Sequence, residues 1–446
     1  MGGEDKDEAK TTARLWNGFL KYPSLRDVPL RAAATWIEGK RTDDDCGNLW
    51  RVHDKLYDLT DFVERHPGGA QWIRVSRGTD ITEAYEAAHM NPATDQVLAK
   101  FYARPASGAR NSPYTLKPDG FYMTFKRRVW QRLKATDAQL IADGKRRAAR
   151  VQDALLAVFF VLFTLTIVCQ SKLVAAVTGT VLFMNINCAH NYYHQRDGWR
   201  MFCWDLGLLS SYEWRITHML SHHVFPNTVY DFELSGFEPF FNFKVERKNV
   251  YERWLVRVLC HLVFPVFFFS DFIKRAVLVA TGRQRLRAEN LLPLVQLVAL
   301  MLAVSYATAG LQLWLAMQLV ASYWFGFMGL IAAHHHPDMY HAGDGEPTYG
   351  RDWGLCQLDA TRDRRDVQGN LLAEMTSYGN HALHHLLPTV DHGLLDLFHE
   401  DLVQTGQQFG IKDFVHEYYE RYSQWDLLVG MFQQLARDVP RSAKTD

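Results

Sequence analysis

Residues 154–194 read ALLAVFFVLFTLTIVCQSKLVAAVTGTVLFMNINCAHNYYH. Two apolar runs, 154–169 and 173–189, are separated only by Gln170, Ser171 and Lys172. Each approaches the ~20 apolar residues that cross a bilayer. A break this short permits only a helical hairpin. The second run ends directly in His190 and His194, four apart and so on one helix face. A second hairpin reads at 291–310, LLPLVQLVALMLAVSYATAG, and 311–333, LQLWLAMQLVASYWFGFMGLIAA. It too ends in histidines, AAHHHPD, at 332–338.

A fifth run, 254–280, carries Arg257, His261, Asp271, Lys274 and Arg275. A charge at the bilayer centre costs about 2.5 kcal/mol or more. If this run crossed, the histidine clusters before and after it would face opposite sides. The expectation is an amphipathic segment lying in the interface, four crossings in all, and every histidine cluster on the cytosolic side. The basic stretches FKRRVWQRLK (125–134) and DGKRRAAR (143–150) precede the first crossing and fix that side by the positive-inside rule.

The bulk composition agrees. Lys+Arg and Asp+Glu both total 49 in 446 residues, so charge points to no nucleic-acid partner. The six cysteines are scattered without a CxxC, which fits reduced thiols. The opening MGGEDKDEAK has no apolar signal core, and Lys6 departs from the myristoylation pattern. Both termini are expected in the cytosol. The division expected is an N-terminal extension 1–40, a small domain 41–110, a basic linker 111–150 and a membrane domain 151–446.

The stretch 56–91, LYDLTDFVERHPGGAQWIRVSRGTDITEAYEAAHMN, has its own chemistry. Pro67-Gly68-Gly69 forces a turn after His66, and His89 follows on an amphipathic pattern. Two neutral imidazoles from opposite sides would close a haem iron's coordination, which suits electron transfer. HPGG preceded by YDLTDF, with a second His after AYEAA, resembles a cytochrome b5 domain over about 45–105. The resemblance implies haem b, with axial ligands His66 and His89 and a pocket lined by Leu59, Phe62 and Tyr85. Residues 54–86 hold seven acids and four bases, an acidic surface that would suit a basic reductase or be merely solvated.

Eight further histidines fall in three clusters: His190 and His194; His218, His222 and His223; His381, His384 and His385. Helical spacing puts His218 with His222 on one face, and the last three together on another. Pro226 and Pro388 each follow a His-His pair by three residues and would end the helix. A row of protonated imidazoles repels itself; neutral rings around metal do not. Eight ligands exceed one metal's capacity, so two are implied. Imidazole suits iron, zinc or copper, zinc lacks redox chemistry, and the haem site favours iron.

HNYYH, HMLSHHVFPN and NHALHHLLP resemble the three boxes of membrane fatty-acid desaturases that carry an N-terminal cytochrome b5 domain. The likeness covers about 120–420 and is greatest to front-end types and insect cytochrome b5-related proteins. It implies a di-iron site held by the eight histidines, with one more ligand from His334 or His335. Front-end enzymes begin the third box with Gln; here it is His381. Asp231 and Glu233 could accept from ligand imidazoles, although a capped loop is the simpler reading. His53, His261, His341, His392, His399 and His416 are expected at the surface or in satisfied cores.

The resulting expectation is a small α+β haem domain followed by an all-α, four-span membrane desaturase domain with a cytosolic histidine-rich cap. It would lie in the endoplasmic reticulum membrane and act on a fatty acyl chain with O₂. No GxGxxG sits in a strand–helix context, so NADH-cytochrome b5 reductase would be a separate partner. A lipid hydroxylase on the same scaffold, or a non-catalytic membrane-tethered haem electron carrier, are the alternatives.

Overall fold

The computed structural model describes residues 18–238, 240–331 and 333–438; the N-terminal leader and acylation signals considered above lie outside them. The N-terminal unit is α+β. Strands β1 (Trp50–Val52), β2 (Lys55–Tyr57) and β3 (Tyr102–Pro105) form an antiparallel meander in the order β1-β2-β3. Short helices over 60–99 pack on it around Trp50, Tyr57, Leu59, Ile73 and Tyr85. The Trp50 indole, too large to bury with an open donor, gives its N–H to the Ile73 carbonyl at 2.9 Å.

Helix α1 (Ala33–Asp44) precedes the sheet but packs with the C-terminal unit. Trp36 Nε1 donates to the Tyr230 carbonyl at 2.9 Å. The extension is therefore a clamp across the second histidine cluster.

The first hairpin is α2 (Ala138–Cys169) and α3 (Lys172–Tyr193). Asp137 starts α2 by accepting from Gln139 N at 2.6 Å, an N-cap. Gln170 ends it in the left-handed region, φ 47°, with its N–H on the Thr166 carbonyl. The apolar pattern conceals polar ties that suit a lipid setting, where every polar group needs a partner. Thr166 meets Thr178 at 2.9 Å, and Gln152 donates to Asn185 at 3.1 Å.

The second hairpin is α5 (Leu292–Ala303) and α6 (Ala307–Ile331). It packs on α3, and a Cβ at Gly179 would lie 2.4 Å from the Met317 carbonyl. Only glycine lets the two helices come so close.

Among the described residues, the intervening segment, α4 (Tyr251–Ala280), is, with α2 and α3, long and apolar enough to cross a membrane, whereas the apolar helix containing α5 is shorter. Helix α4 is broken. A π-turn covers Tyr251–Leu255 and a 3₁₀ turn Phe264–Val266, at Pro265. Ser322 of α6 bridges the second break, donating to the Phe264 carbonyl at 2.6 Å and accepting from Phe268 N at 3.1 Å. Arg253 pairs with Asp438, while Arg275 pairs with Asp271 and donates to the Leu208 and Leu209 carbonyls, close before the second histidine cluster.

Candidate metal and haem centres

The 3₁₀ turn Thr60–Arg65 and the helix Thr82–Ala88 each deliver a histidine at their C-terminal ends. The His66 and His89 ring centres stand 6.0 Å apart. Imidazoles bound to opposite sides of one metal by bonds of about 2 Å stand with ring centres about 6 Å apart. Nδ1 of His66 lies 3.0 Å from the Gly69 carbonyl, and Nδ1 of His89 2.9 Å from that of Tyr85. Both rings thus donate from Nδ1 and turn Nε2 free. A Cβ at Gly68 would lie 2.8 Å from the His66 ring, so the HPGG turn needs glycine there for ring clearance. Burial holds His89 below the usual histidine range. Leu59 is buried, Phe62 packs against Phe101 and edge-on to His66, and Tyr85 lies along His89.

The acidic patch is smaller than the sequence suggests. Asp80 and Glu83 are buried against Arg110, and Glu86 against Lys126 and His53. These acids face inward because they join the two units. Asp54, Asp58, Asp61 and Glu64 stay exposed.

The other histidines converge from four stretches of chain. One group comprises His190, His194, His218, His223 and His384; a second comprises His222, His334, His381 and His385. All are buried. Within the first, Nε2–Nε2 distances are 2.8 Å (His190–His218), 3.1 Å (His190–His194), 3.0 Å (His218–His223) and 3.2 Å (His190–His384). Within the second, His334 Nε2 lies 3.0 Å from that of His222 and 2.7 Å from that of His381. His223 and His385, one from each group, stack at 4.1 Å.

Helical spacing alone sorts these residues differently. Arg215–His222 is a π-helix, and His223 N donates to the His218 carbonyl five residues back at 2.8 Å. A π-turn advances the phase, so His218 joins His223 in the group of five while His222 joins the group of four; His218 and His222 also meet with Glu233 in a third group. In the short helix His381–Leu386, His381 and His385 face one group while His384 faces the other. Asp363 fixes that helix by accepting from His381 N at 2.5 Å and Ala382 N at 3.4 Å.

Four of the outer nitrogens are held, whereas Nδ1 of His223, His381 and His384 is buried without a hydrogen-bond partner among the described residues. Nδ1 of His218 lies 2.5 Å from Glu233, of His222 2.9 Å from Asp231, of His334 2.9 Å from the Ala360 carbonyl and of His385 3.0 Å from Gln357 Oε1. Each acceptor keeps the proton on Nδ1 and points a bare Nε2 lone pair inward. Burial, with the neighbouring imidazoles, drives His223, His334, His381, His384 and His385 well below the usual range. Burial also opposes charge on His222, yet Asp231 and Glu233 hold it up at about 9.

Of the alternatives at the end of α6, His334 joins the cluster and His335 does not. His335 stacks flat on Phe243 at 3.8 Å, because the chain leaves the helix there. Asp231 is both a cap, accepting from Glu233 N and Leu234 N, and a partner of His222. His392, unremarkable in sequence, is buried 4.7 Å from the His384 ring and bonds Asn191. Among the described residues, His53, His261, His341, His399 and His416 join neither group.

A narrow cleft reaches the cluster at His218, His222, His334 and His381. Its walls are apolar, with Trp214, Phe237, Phe267, Phe325 and the bare backbone of Gly326 and Gly329.

The Fatty acid desaturase family model matches residues 169–415, and that of the Cytochrome b5-like Heme/Steroid binding domain matches 35–106. A Cytochrome b5-related protein of Drosophila melanogaster is 36% identical over 94% of this chain and 95% of its own length. An Acyl-lipid (8-3)-desaturase of Mortierella alpina is 23% identical over 76% of this chain and 83% of its own. A Delta(5) fatty acid desaturase A of Dictyostelium discoideum is 25% identical over 42% of each. No solved structure is significantly similar. The chain is a membrane protein of the fatty acid desaturase family, with a cytochrome b5-like domain fused ahead of its histidine-rich desaturase domain.

Proposed function

We propose that this chain is a di-iron oxidoreductase that introduces a double bond into a fatty acyl chain, taking electrons through its own haem domain. The observation that carries this reading is the convergence of nine buried histidines into a group of five and a group of four. Nitrogens bound to one metal at about 2.0–2.1 Å are spaced along the edges of its polyhedron by about 3.0–3.4 Å. The distances of 2.7 to 3.2 Å between the Nε2 atoms are close to that spacing. A bound cation would satisfy Nε2 lone pairs that converge in a buried interior.

His190, His194, His218, His223 and His384 would hold one iron; His222, His334, His381 and His385 would hold the other. When bound, the pair supplies O₂ activation and removal of hydrogen from an unactivated carbon. Glu233, Asp231, Gln357 and the Ala360 carbonyl orient four of the rings. The cleft would place an apolar chain beside His218, His222, His334 and His381. In the N-terminal unit, His66 and His89 would hold haem, with Leu59, Phe62 and Tyr85 beside them. A separate NADH-cytochrome b5 reductase would reduce it.

We read α2, α3, α5 and α6 as the four crossings and α4 as lying at the membrane surface. Phe243, shortly before α4, stacks on His335, and Gln284, shortly after it, donates to Glu213 ahead of His218, which supports that reading. The clusters and both termini then face the cytosol from the endoplasmic reticulum membrane, with domains near 41–110 and 151–446.

Expression in a desaturase-deficient cell, followed by lipid profiling, tests the activity. The expected product is two hydrogens lighter than its substrate. A product carrying one oxygen from labelled O₂ would instead make the protein a hydroxylase, and no product with iron and haem in place would leave an electron carrier.

A further inference from the structure

Arg215 is fully buried at the start of the π-helix, and its contacts reach into both units. Its Nε donates to the Tyr193 carbonyl at 2.8 Å and its Nη2 to the Gln195 carbonyl at 3.0 Å, the residues on either side of His194. Its Nη2 also touches Met201 Sδ at 3.3 Å. The Nη1 end faces the N-terminal unit, donating to Gln71 Oε1 at 2.7 Å and pairing with Asp197. The guanidinium lies over the Trp72 ring at 4.9 Å. Gln71 and Trp72 follow Gly69, whose carbonyl orients His66.

A second contact serves the other haem-side histidine. Thr389 Oγ1 donates to the Ala88 carbonyl, next to His89, at 3.3 Å. Tyr122 OH lies 3.2 Å from the carbonyls of both Glu86 and Leu386, and its single proton can serve only one at a time. Leu386 adjoins His385. Each histidine of the N-terminal pair is thus a few bonded contacts from the histidine cage.

We propose that Arg215 is a positioning residue for electron delivery, holding the N-terminal unit docked on the cage through Gln71 and Trp72. The chain works from this docked pose and not from a unit swinging on the 111–150 linker. This rests on the functional reading above. With both groups bound, each transfer would move one electron from haem held by His66 and His89 to iron held by the cage, oxidising the one and reducing the other. The external reductase restores the haem's electron. A buried guanidinium spanning both units fits this role because its planar fork fixes several acceptors at once and stacks on an indole face.

The test compares Trp72→Leu, Trp72→Phe and Arg215→Gln in the full chain. Trp72→Leu leaves the cage untouched, so its non-haem iron and haem spectrum should match the parent. Amide exchange over 66–76 should quicken about tenfold, and reoxidation of reduced haem should slow about tenfold, as a desolvated cation–π contact is lost. Trp72→Phe should restore most of both. Arg215→Gln should show the same loosening of 66–76. Unchanged exchange over 66–76 in both Trp72→Leu and Arg215→Gln, or reoxidation at the parent rate once that segment has loosened, would overturn the proposal. A parent protein lacking non-haem iron would sink the functional reading instead, while the exchange comparison would still decide the docking.

Discussion

His334 and His335 are adjacent imidazoles at the end of one helix, and only the fold separates them. His334 turns its Nε2 onto His222 and His381 and gives its Nδ1 to a carbonyl, whereas His335 lies flat on Phe243. Replacing His334 with Ala should lower non-haem iron by about one per chain on the ligand counts above. His335→Leu, which keeps an apolar body over Phe243, should leave the metal in place; metal analysis of both proteins checks this. Asp231→Asn keeps the cap geometry but weakens the acceptor for His222, and such outer partners are worth about 10–100-fold in metal affinity; a chelator competition should measure that loss. The box histidines were legible because their spacings of three and four are visible in one dimension. Which of two neighbours enters the cage was not, because helix phase is lost where the helix ends.

Asp205 makes a different residue-scale prediction. Burial raises its carboxyl to about 7, against the hydrogen bonds from Ser211, and its Oδ2 has no partner among the described residues. An acid raised in the fold favours the protonated form. Its contribution is full below the unfolded value near 3.8 and is lost as pH rises through about 7. The melting temperature in detergent should therefore fall as pH rises from near 3.8 to about 7 and level off above that, and Asp205→Asn should flatten that slope. An equal slope in both proteins would remove Asp205 as its cause.

At the scale of elements, the π-turn decides which histidines cooperate. Spacing put His218 beside His222, and a regular helix would do so. The extra residue per turn instead brings His223 onto His218 in the group of five and sends His222 to the group of four, with His218 and His222 still meeting at Glu233. His223→Ala and His384→Ala should therefore remove the same iron, and His222→Ala and His381→Ala the other. Iron-specific spectroscopy of the four variants should sort them into those two pairs. Sorting by box would contradict the assignment. The charges in 254–280 were legible as a problem, and the structure gives them partners: Asp271 for Lys274 and Arg275, and Ser322 for the break at Phe264. Ser322→Ala would leave the buried Phe264 carbonyl and Phe268 N–H without that hydroxyl, at about 1–3 kcal/mol, measurable as a lower melting temperature.

For the whole molecule, two units and two hairpins could be read from apolar runs and motifs, because each is written in contiguous residues. The docking of one unit on the other could not. Arg215, Trp72, Tyr122 and Thr389 lie in four separate stretches, and nothing in their spacing announces that they meet. The acids at 80, 83 and 86 even suggested the opposite, a free acidic surface, until Arg110 and Lys126 arrived from the linker region. Topology is the remaining claim at this scale, and the chain carries its own probe. Cys169, at the tip of the first hairpin, is exposed, and the other five cysteines are buried. The four-crossing arrangement puts that tip in the lumen, beyond the reach of an impermeant maleimide added to sealed, right-side-out microsomes. Cysteines placed at Asp54 and Glu346, both exposed, should label at once in the same vesicles, and Cys169 only after the membrane is opened. If α4 crossed as a fifth span, position 346 would be protected while position 54 stayed open. The cage would then need histidines from both sides of the bilayer, which its packed nitrogens at 2.7 to 3.2 Å do not allow.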